Sequence, residues 1–159
     1  DALTGAHTAI ICAGEFDAML CQQFAPAGVA CVTFGSESKG VSLRWLIALR
    51  SIKRVVVCYD NDAAGDAGYE RIKRDVPKAL RARVPTGKDI GEFYSQGGDI
   101  AAWSREITEQ SAQDITPAQW ESAILSWLES RGYTPSIGEQ GQIIANREAL
   151  LIVRPVKQK

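Results

Sequence analysis

At 159 residues, with 45% hydrophobic and 23% charged side chains, the chain has the make-up of one globular domain with a small addition. A net charge of −1 excludes a global basic field, so any contact with nucleic acid has to be local or supplied by other parts. No apolar run approaches the roughly 20 residues of a membrane span and nothing reads as a signal peptide, so a cytoplasmic setting without a membrane partner is the expectation.

Thr8 to Ala13 reads as a first buried strand, and Gly14-Glu15 as the turn after it. A helix is predicted from Phe16 to Ala25, with Phe16, Met19, Leu20 and Phe24 on one inward stripe, stopped by Pro26 and Gly28. Val29 to Phe34 is a second strand, followed by the polar, glycine-bracketed loop from Gly35 to Gly40. Ser42 is placed to cap a helix through Arg50 that turns Leu43, Leu46 and Ile47 inward. Then comes a continuous apolar run, Val55 to Tyr59, which suits a strand buried on both faces. It ends in two carboxylates, Asp60 and Asp62, before a helix from Ala63 to about Arg74. After Pro77, Ala79 to Val84 alternates as an edge strand would. Four strands alternating with helices predict an α/β fold around a mainly parallel four-stranded sheet with right-handed crossovers.

Beyond Pro85 the pattern changes. Thr86 to Glu92 is a charged, turn-rich loop, and Asp99 caps a helix to about Gln110. Ser111 to Ile115 reads as a linker. Thr116-Pro117-Ala118-Gln119 starts a further helix with a capping box, which runs to Arg131 and buries Trp120, Ile124, Trp127 and Leu128. Two short apolar runs, Ile143 to Ala145 and Leu150 to Val153, complete a helix-hairpin appendage. The expected division is 1–112 for the sheet domain and 113–159 for the small α+β appendage. The cysteines Cys12, Cys21, Cys31 and Cys58 have no CxxC spacing, and three of them lie in strand-like runs, which favours reduced, buried thiols over disulfides or zinc. The chain begins without a methionine and is expected to be a piece of something longer.

Asp60 and Asp62 carry the chemistry. Ligands of open α/β sheets sit at the carboxyl ends of the strands, so both acids belong at the working edge. Two carboxylates that close repel unless a cation or proton intervenes, and Mg²⁺ prefers one or two carboxylates with waters and phosphate oxygens. The competing explanation is structural: Asp60 ends the strand and Asp62 caps the next helix. Acids recur after other strands too, with Glu15 and Asp17 after the first and Asp89 and Glu92 after the fourth. Parallel strands bring all these loops to one edge.

This pattern resembles the Toprim family, and within it the primase and primase-helicase branch. The matching residues are Gly14, Asp17 and Ala18, then Asp60-Asn61-Asp62-Ala63-Ala64-Gly65, then Pro85-Thr86-Gly87-Lys88-Asp89, within roughly residues 8 to 95. The resemblance implies a Toprim-like three-layer sandwich that works on DNA and nucleotides in replication. It implies Mg²⁺ or Mn²⁺ held by Asp60, Asp62, Asp17 and Asp89, and nucleotidyl transfer with Glu15, Asp60 and Asp62 as catalytic residues. Lys88 is then a phosphate contact. Other domains of a longer primase or helicase, as found in mobile elements, are the implied partners. Arg44, Trp45, Arg147, Arg154, Lys157 and Lys159 are further candidates for nucleic-acid contact. The resemblance departs at two places. The glutamate that precedes the first glycine in the family is Ala13 here, with Glu15 two residues on. The second acid of the third motif falls on Gly91, with Glu92 next to it. The alternative suggested by Ala13 is a degenerate module that binds metal and nucleic acid, or a protein partner, without chemistry.

Overall fold

The computed structural model describes residues 3–109, 116–139, 142–146 and 150–153. The chain divides into two compact units, Asp1–Ile115 and Thr116–Lys159. In the first unit the elements run β1 (Thr8–Cys12), α1 (Glu15–Phe24), β2 (Val29–Thr33), α2 (Leu43–Arg50), β3 (Arg54–Cys58), α3 (Ala63–Asp75), β4 (Ala79–Arg81), α4 (Ile90–Ser95) and α5 (Ile100–Glu109). Among the described residues no helix is long and apolar enough to cross a membrane.

The four strands are parallel and ordered β2-β1-β3-β4. The two apolar runs without alternation, β1 and β3, are the central strands. Ala9, Ile11, Val55 and Val57 are fully buried on one face while Ile10 and Cys12 are fully buried on the other. Burial on both faces is what a continuous apolar run requires, and it makes the fold a three-layer α/β sandwich. One face packs Ile10, Cys12, Val56 and Cys58 against α1, α4 and α5 through Ala18, Cys21, Phe93, Trp103 and Ile107. From β1 the chain moves to one side to form β2, then returns to the other side for β3 and β4. The order therefore reverses between β1 and β3, the kind of switch point where open α/β sheets bind ligands.

The first helix differs from its expected orientation. Phe16 and Met19 are exposed at 87% and 63%, and it is Ala18 and Cys21 that are buried. Small side chains let α1 sit close over β1 and β2, so Phe16 and Met19 turn outward, Leu20 still packs against the core as expected, and Phe24 meets Tyr94 with ring centroids 5.7 Å apart. The loop expected from Thr86 to Glu92 also ends early, because Ile90 to Ser95 forms α4. The cysteines are free thiols gathered on the α1 side of the sheet, with Cys12 and Cys58 facing each other across β1 and β3 and Cys21 buried on α1 in the same core cluster.

In the second unit, α6 (Pro117–Glu129) starts with the expected capping box and buries Trp120, Ile124, Trp127 and Leu128. Gly132, at φ 77°, lets the chain turn out of it. The chain then forms a three-stranded antiparallel sheet, β5 (Thr134–Ile137), β6 (Ile143–Asn146) and β7 (Leu150–Val153), where a two-stranded hairpin was expected. The extra strand, Thr-Pro-Ser-Ile, is largely exposed and polar, so it carries no apolar signal. The expected linker at 111–115 and the basic residues Arg147, Arg154, Lys157 and Lys159 lie outside the described residues.

Candidate metal centre

The loops after β1 and β3 meet at the switch point, joined by the loop that enters α4. They border an open hollow of about 650 Å³ lined by Ala13, Gly14, Asp17, Glu37, Asp60, Arg71 and Asp89, among others. Asp60 is the first residue to reach solvent after buried Tyr59, so β3 delivers its carboxylate directly to this edge.

Asp62 has two duties, one for each oxygen. Its Oδ1 accepts the Gly65 N–H at 2.9 Å and caps α3, while its Oδ2 lies 3.4 Å from Lys88 Nζ. The capping and cation-binding roles therefore do not compete. Gly65 N–H, followed by Lys88, holds the Asp62 carboxyl below the usual carboxylate range. Lys88 Nζ is also 2.9 Å from Asp60 Oδ2. One cationic nitrogen thus draws both carboxylates to a single point, and they in turn push the lysine pKa up, Asp60 most.

Asn61, between the two acids, stitches the site together. Its Nδ2 donates to the carbonyls of Val84 at 3.1 Å and Gly87 at 3.0 Å, and its N–H donates to Lys88 O at 2.7 Å. The Asp60 loop and the Lys88-Asp89 loop are thereby one rigid edge. Arg81 braces the same strand end from beneath, donating to the carbonyls of Tyr59 at 2.9 Å and Asp60 at 2.7 Å. Gly65 is required by close approach: a Cβ there would lie 2.0 Å from the Asp60 carbonyl oxygen.

Asp17 and Asp89 complete the acidic edge. Asp17 Oδ1 accepts the Gly91 N–H at 3.2 Å, and burial, then the nearby Asp89, raises its carboxyl above the ordinary value. Asp89 Oδ1 caps α4 through the Glu92 N–H at 2.7 Å. Glu15 is exposed on the first turn of α1 and is not among the residues lining the hollow. Arg44 is exposed on α2, and Trp45 packs on Phe34 with centroids 5.1 Å apart. Two residues that the motifs did not single out do line it. Glu37, on the loop after β2, accepts the Asp60 N–H through Oε1 at 2.8 Å. Arg71, on α3, donates to the Glu37 carbonyl at 2.9 Å and brings a guanidinium to the same wall.

A model of the Toprim-like family matches residues 10–94, more than half of the chain and the whole of this site. The chain belongs to the Toprim-like family. Toprim domains as a class bind divalent metals and act in nucleic-acid chemistry, and the matched span holds the strands, the acidic edge and Lys88. No curated protein matches the chain. The fit of a divalent cation to this Toprim edge rests on the donors themselves. Among the described residues no three His, Cys, Asp or Glu side chains stand close enough to enclose a metal. Two carboxylate oxygens do converge on one cation. That is an open oxygen set of the kind Mg²⁺ uses, with waters and phosphate oxygens as its other ligands.

Proposed function

We propose that this chain is the Toprim part of a DNA primase-like protein and holds Mg²⁺, or Mn²⁺ in its place, for nucleotidyl transfer. The supporting observation is the convergence of Asp60 Oδ2 and Asp62 Oδ2 on the Lys88 ammonium at the sheet's switch point. When bound there, the divalent ion supplies charge neutralisation and Lewis-acid activation for phosphoryl transfer.

Asp60 and Asp62 present the two oxygens, and the Gly65 N–H keeps the second carboxylate aimed while it does so. Lys88, freed from the carboxylates, is within the same loop edge to pair with a phosphate of the nucleotide. Arg71 offers a second cationic contact from the α3 wall. Asp17 and Asp89 extend the anionic edge toward a second ion. Glu15, next to Gly14 in the motif but exposed and off the hollow's lining, is the residue proposed to move a proton at the attacking hydroxyl. DNA and nucleotides are the substrates under this reading, in cytoplasmic replication of the mobile-element kind. Other domains of a longer primase or helicase are the partners.

Mn²⁺ binding followed by water-proton relaxation, together with dinucleotide formation on a DNA template, tests the proposal. Both are expected in the wild type, and both are expected to vanish in the Asp60→Asn, Asp62→Asn double variant. Equal Mn²⁺ binding by that variant overturns it. A second reading is favoured by Ala13, which removes the family's acid: a module that binds cation and DNA without forming the dinucleotide.

A further inference from the structure

We propose that Glu37 supplies the negative charge that the first motif lacks at Ala13, as an outer carboxylate of the cation centre behind Asp60. This rests on Asp60 and Asp62 being the cation-holding pair. Four observations carry it.

Glu37 and Ala13 line the same hollow, although they sit on loops after different strands. A loop glutamate after β2 thus shares with Ala13 the hollow at the end of β1. Glu37 is also held in register with the metal pair, since its Oε1 accepts the Asp60 N–H at 2.8 Å. Its loop is clamped from the other side. Arg71 Nη2 donates to the Glu37 carbonyl at 2.9 Å, and Gly68 lets α3 close on that carbonyl, where a Cβ would sit only 3.0 Å away. Finally, Glu37 has no ion-pair partner within 4.0 Å and its Oε2 makes no hydrogen bond among the described residues.

Glu37 makes no ion pair among the described residues, with Arg71 engaged on its backbone carbonyl, so beside Asp60 and in a hollow with Asp17 and Asp89 its charge adds to the attraction for an arriving cation. Glu15 does not meet the same conditions: it is exposed, with Oε1 near Gly35 and off the hollow's lining.

The bland role for Glu37 is to satisfy the Asp60 N–H as a strand-end brace. Glu37→Gln separates the two, because glutamine keeps the accepting oxygen and drops the charge. In the full chain, Glu37→Gln is expected to weaken Mn²⁺ binding by about 10–100-fold, the range typical of outer-shell partners of metal ligands, with an unchanged melting curve. Adding Ala13→Glu to Glu37→Gln is expected to restore affinity, and Ala13→Glu alone to change it much less, so the two changes are strongly non-additive. Wild-type affinity in Glu37→Gln, or additive effects at the two positions, overturns the proposal. Because the two effects are compared within a cycle, a moderate loss of stability in one variant does not hide the outcome. A wild type that binds no Mn²⁺ fails the cation reading itself, a different result from a wild type that binds and a Glu37→Gln that binds equally.

Discussion

Lys88 Nζ lies 2.9 Å from Asp60 Oδ2, in the position that the paired carboxylates offer to a cation. The lysine side chain is 55% exposed, so this pair is a solvated one and readily given up. A divalent ion has to displace it. Lys88→Met is therefore expected to tighten Mn²⁺ binding slightly, as fits the loss of a solvated pair. The same variant is expected to weaken nucleotide binding in the presence of Mn²⁺, because the displaced ammonium is then the phosphate partner. Opposite signs in one variant are hard to obtain by general disruption. Weaker Mn²⁺ binding in Lys88→Met means the lysine supports the carboxylates and does not occupy their cation position.

Gly65 touches both acids at once: its N–H donates to the capping Asp62 carboxylate, and the space where its Cβ would be is filled by the Asp60 carbonyl. In an open helix Gly→Ala stabilises by roughly 0.5–1 kcal/mol. Here the Cβ would approach a backbone oxygen to 2.0 Å, and neither partner is a flexible side-chain end. Overpacking of this kind costs about 1–3 kcal/mol and at times more, so the clash wins and Gly65→Ala is expected to lower stability. It is also expected to lose Mn²⁺ affinity, since α3 can relieve the clash only by drawing the Asp62 cap away. A stabilised Gly65→Ala would show that helix propensity dominates at this position.

The contrast between Gly65 and Glu37 shows what was legible in the chain. The apolar runs of β1 and β3 and the acids after them are local signals, and they predict a parallel four-stranded sheet with acids at its strand ends, though not the strand order. Asp60-Asn61-Asp62 is read as a metal motif from its acids, yet the Asn61 hydrogen bonds to Val84 and Gly87 join segments more than 20 residues apart. Glu37 is 23 residues from the Asp60 N–H it meets, in a polar loop with no periodicity to mark it. Arg71 lies on a helix face indistinguishable by pattern from any solvated one. The α1 stripe misled for another reason. Hydrophobicity ranks Phe16 and Met19 as core, but close packing over β1 and β2 favours small Ala18 and Cys21, a steric choice that composition does not express.

Lys78 makes a separate prediction, far from the acids. It is 6% exposed, and its Nζ donates to the carbonyls of Arg50 at 3.2 Å and of Ile52. Burial pushes its pKa down from 10.5 to about 8. Below that value the folded state carries a buried charge at a cost. Between about 8 and 10.5 the unfolded chain binds more protons than the folded one, so this group makes stability rise with pH and levels off above 10.5. Lys78→Met lacks the effect. The stability of the wild type relative to Lys78→Met is expected to grow by about 1–3 kcal/mol between pH 7 and 10, measured by urea titration. Parallel pH profiles for the two proteins would mean that the backbone carbonyls compensate the buried ammonium fully.

The second unit provides the last test. Leu128 is fully buried on α6, alongside Trp120, Ile124 and Trp127. Leu128→Ala is expected to cost about 2–5 kcal/mol, as a large-to-small change in a core. A unit of this size has only a few kcal/mol in hand, so that loss is enough to unfold it. Asp17, Asp60, Asp62, Asp89, Lys88, Glu37 and Arg71 all lie in the first unit. An amide NMR spectrum of the whole chain carrying Leu128→Ala should then lose the dispersed signals of residues 116 onward and keep those of β1 to α5. Mn²⁺ affinity should stay at the wild-type value. An unchanged spectrum would show that Leu128 packing contributes little to the second unit. Loss of Mn²⁺ binding along with the second unit would show that the first unit's acidic edge depends on it for its geometry.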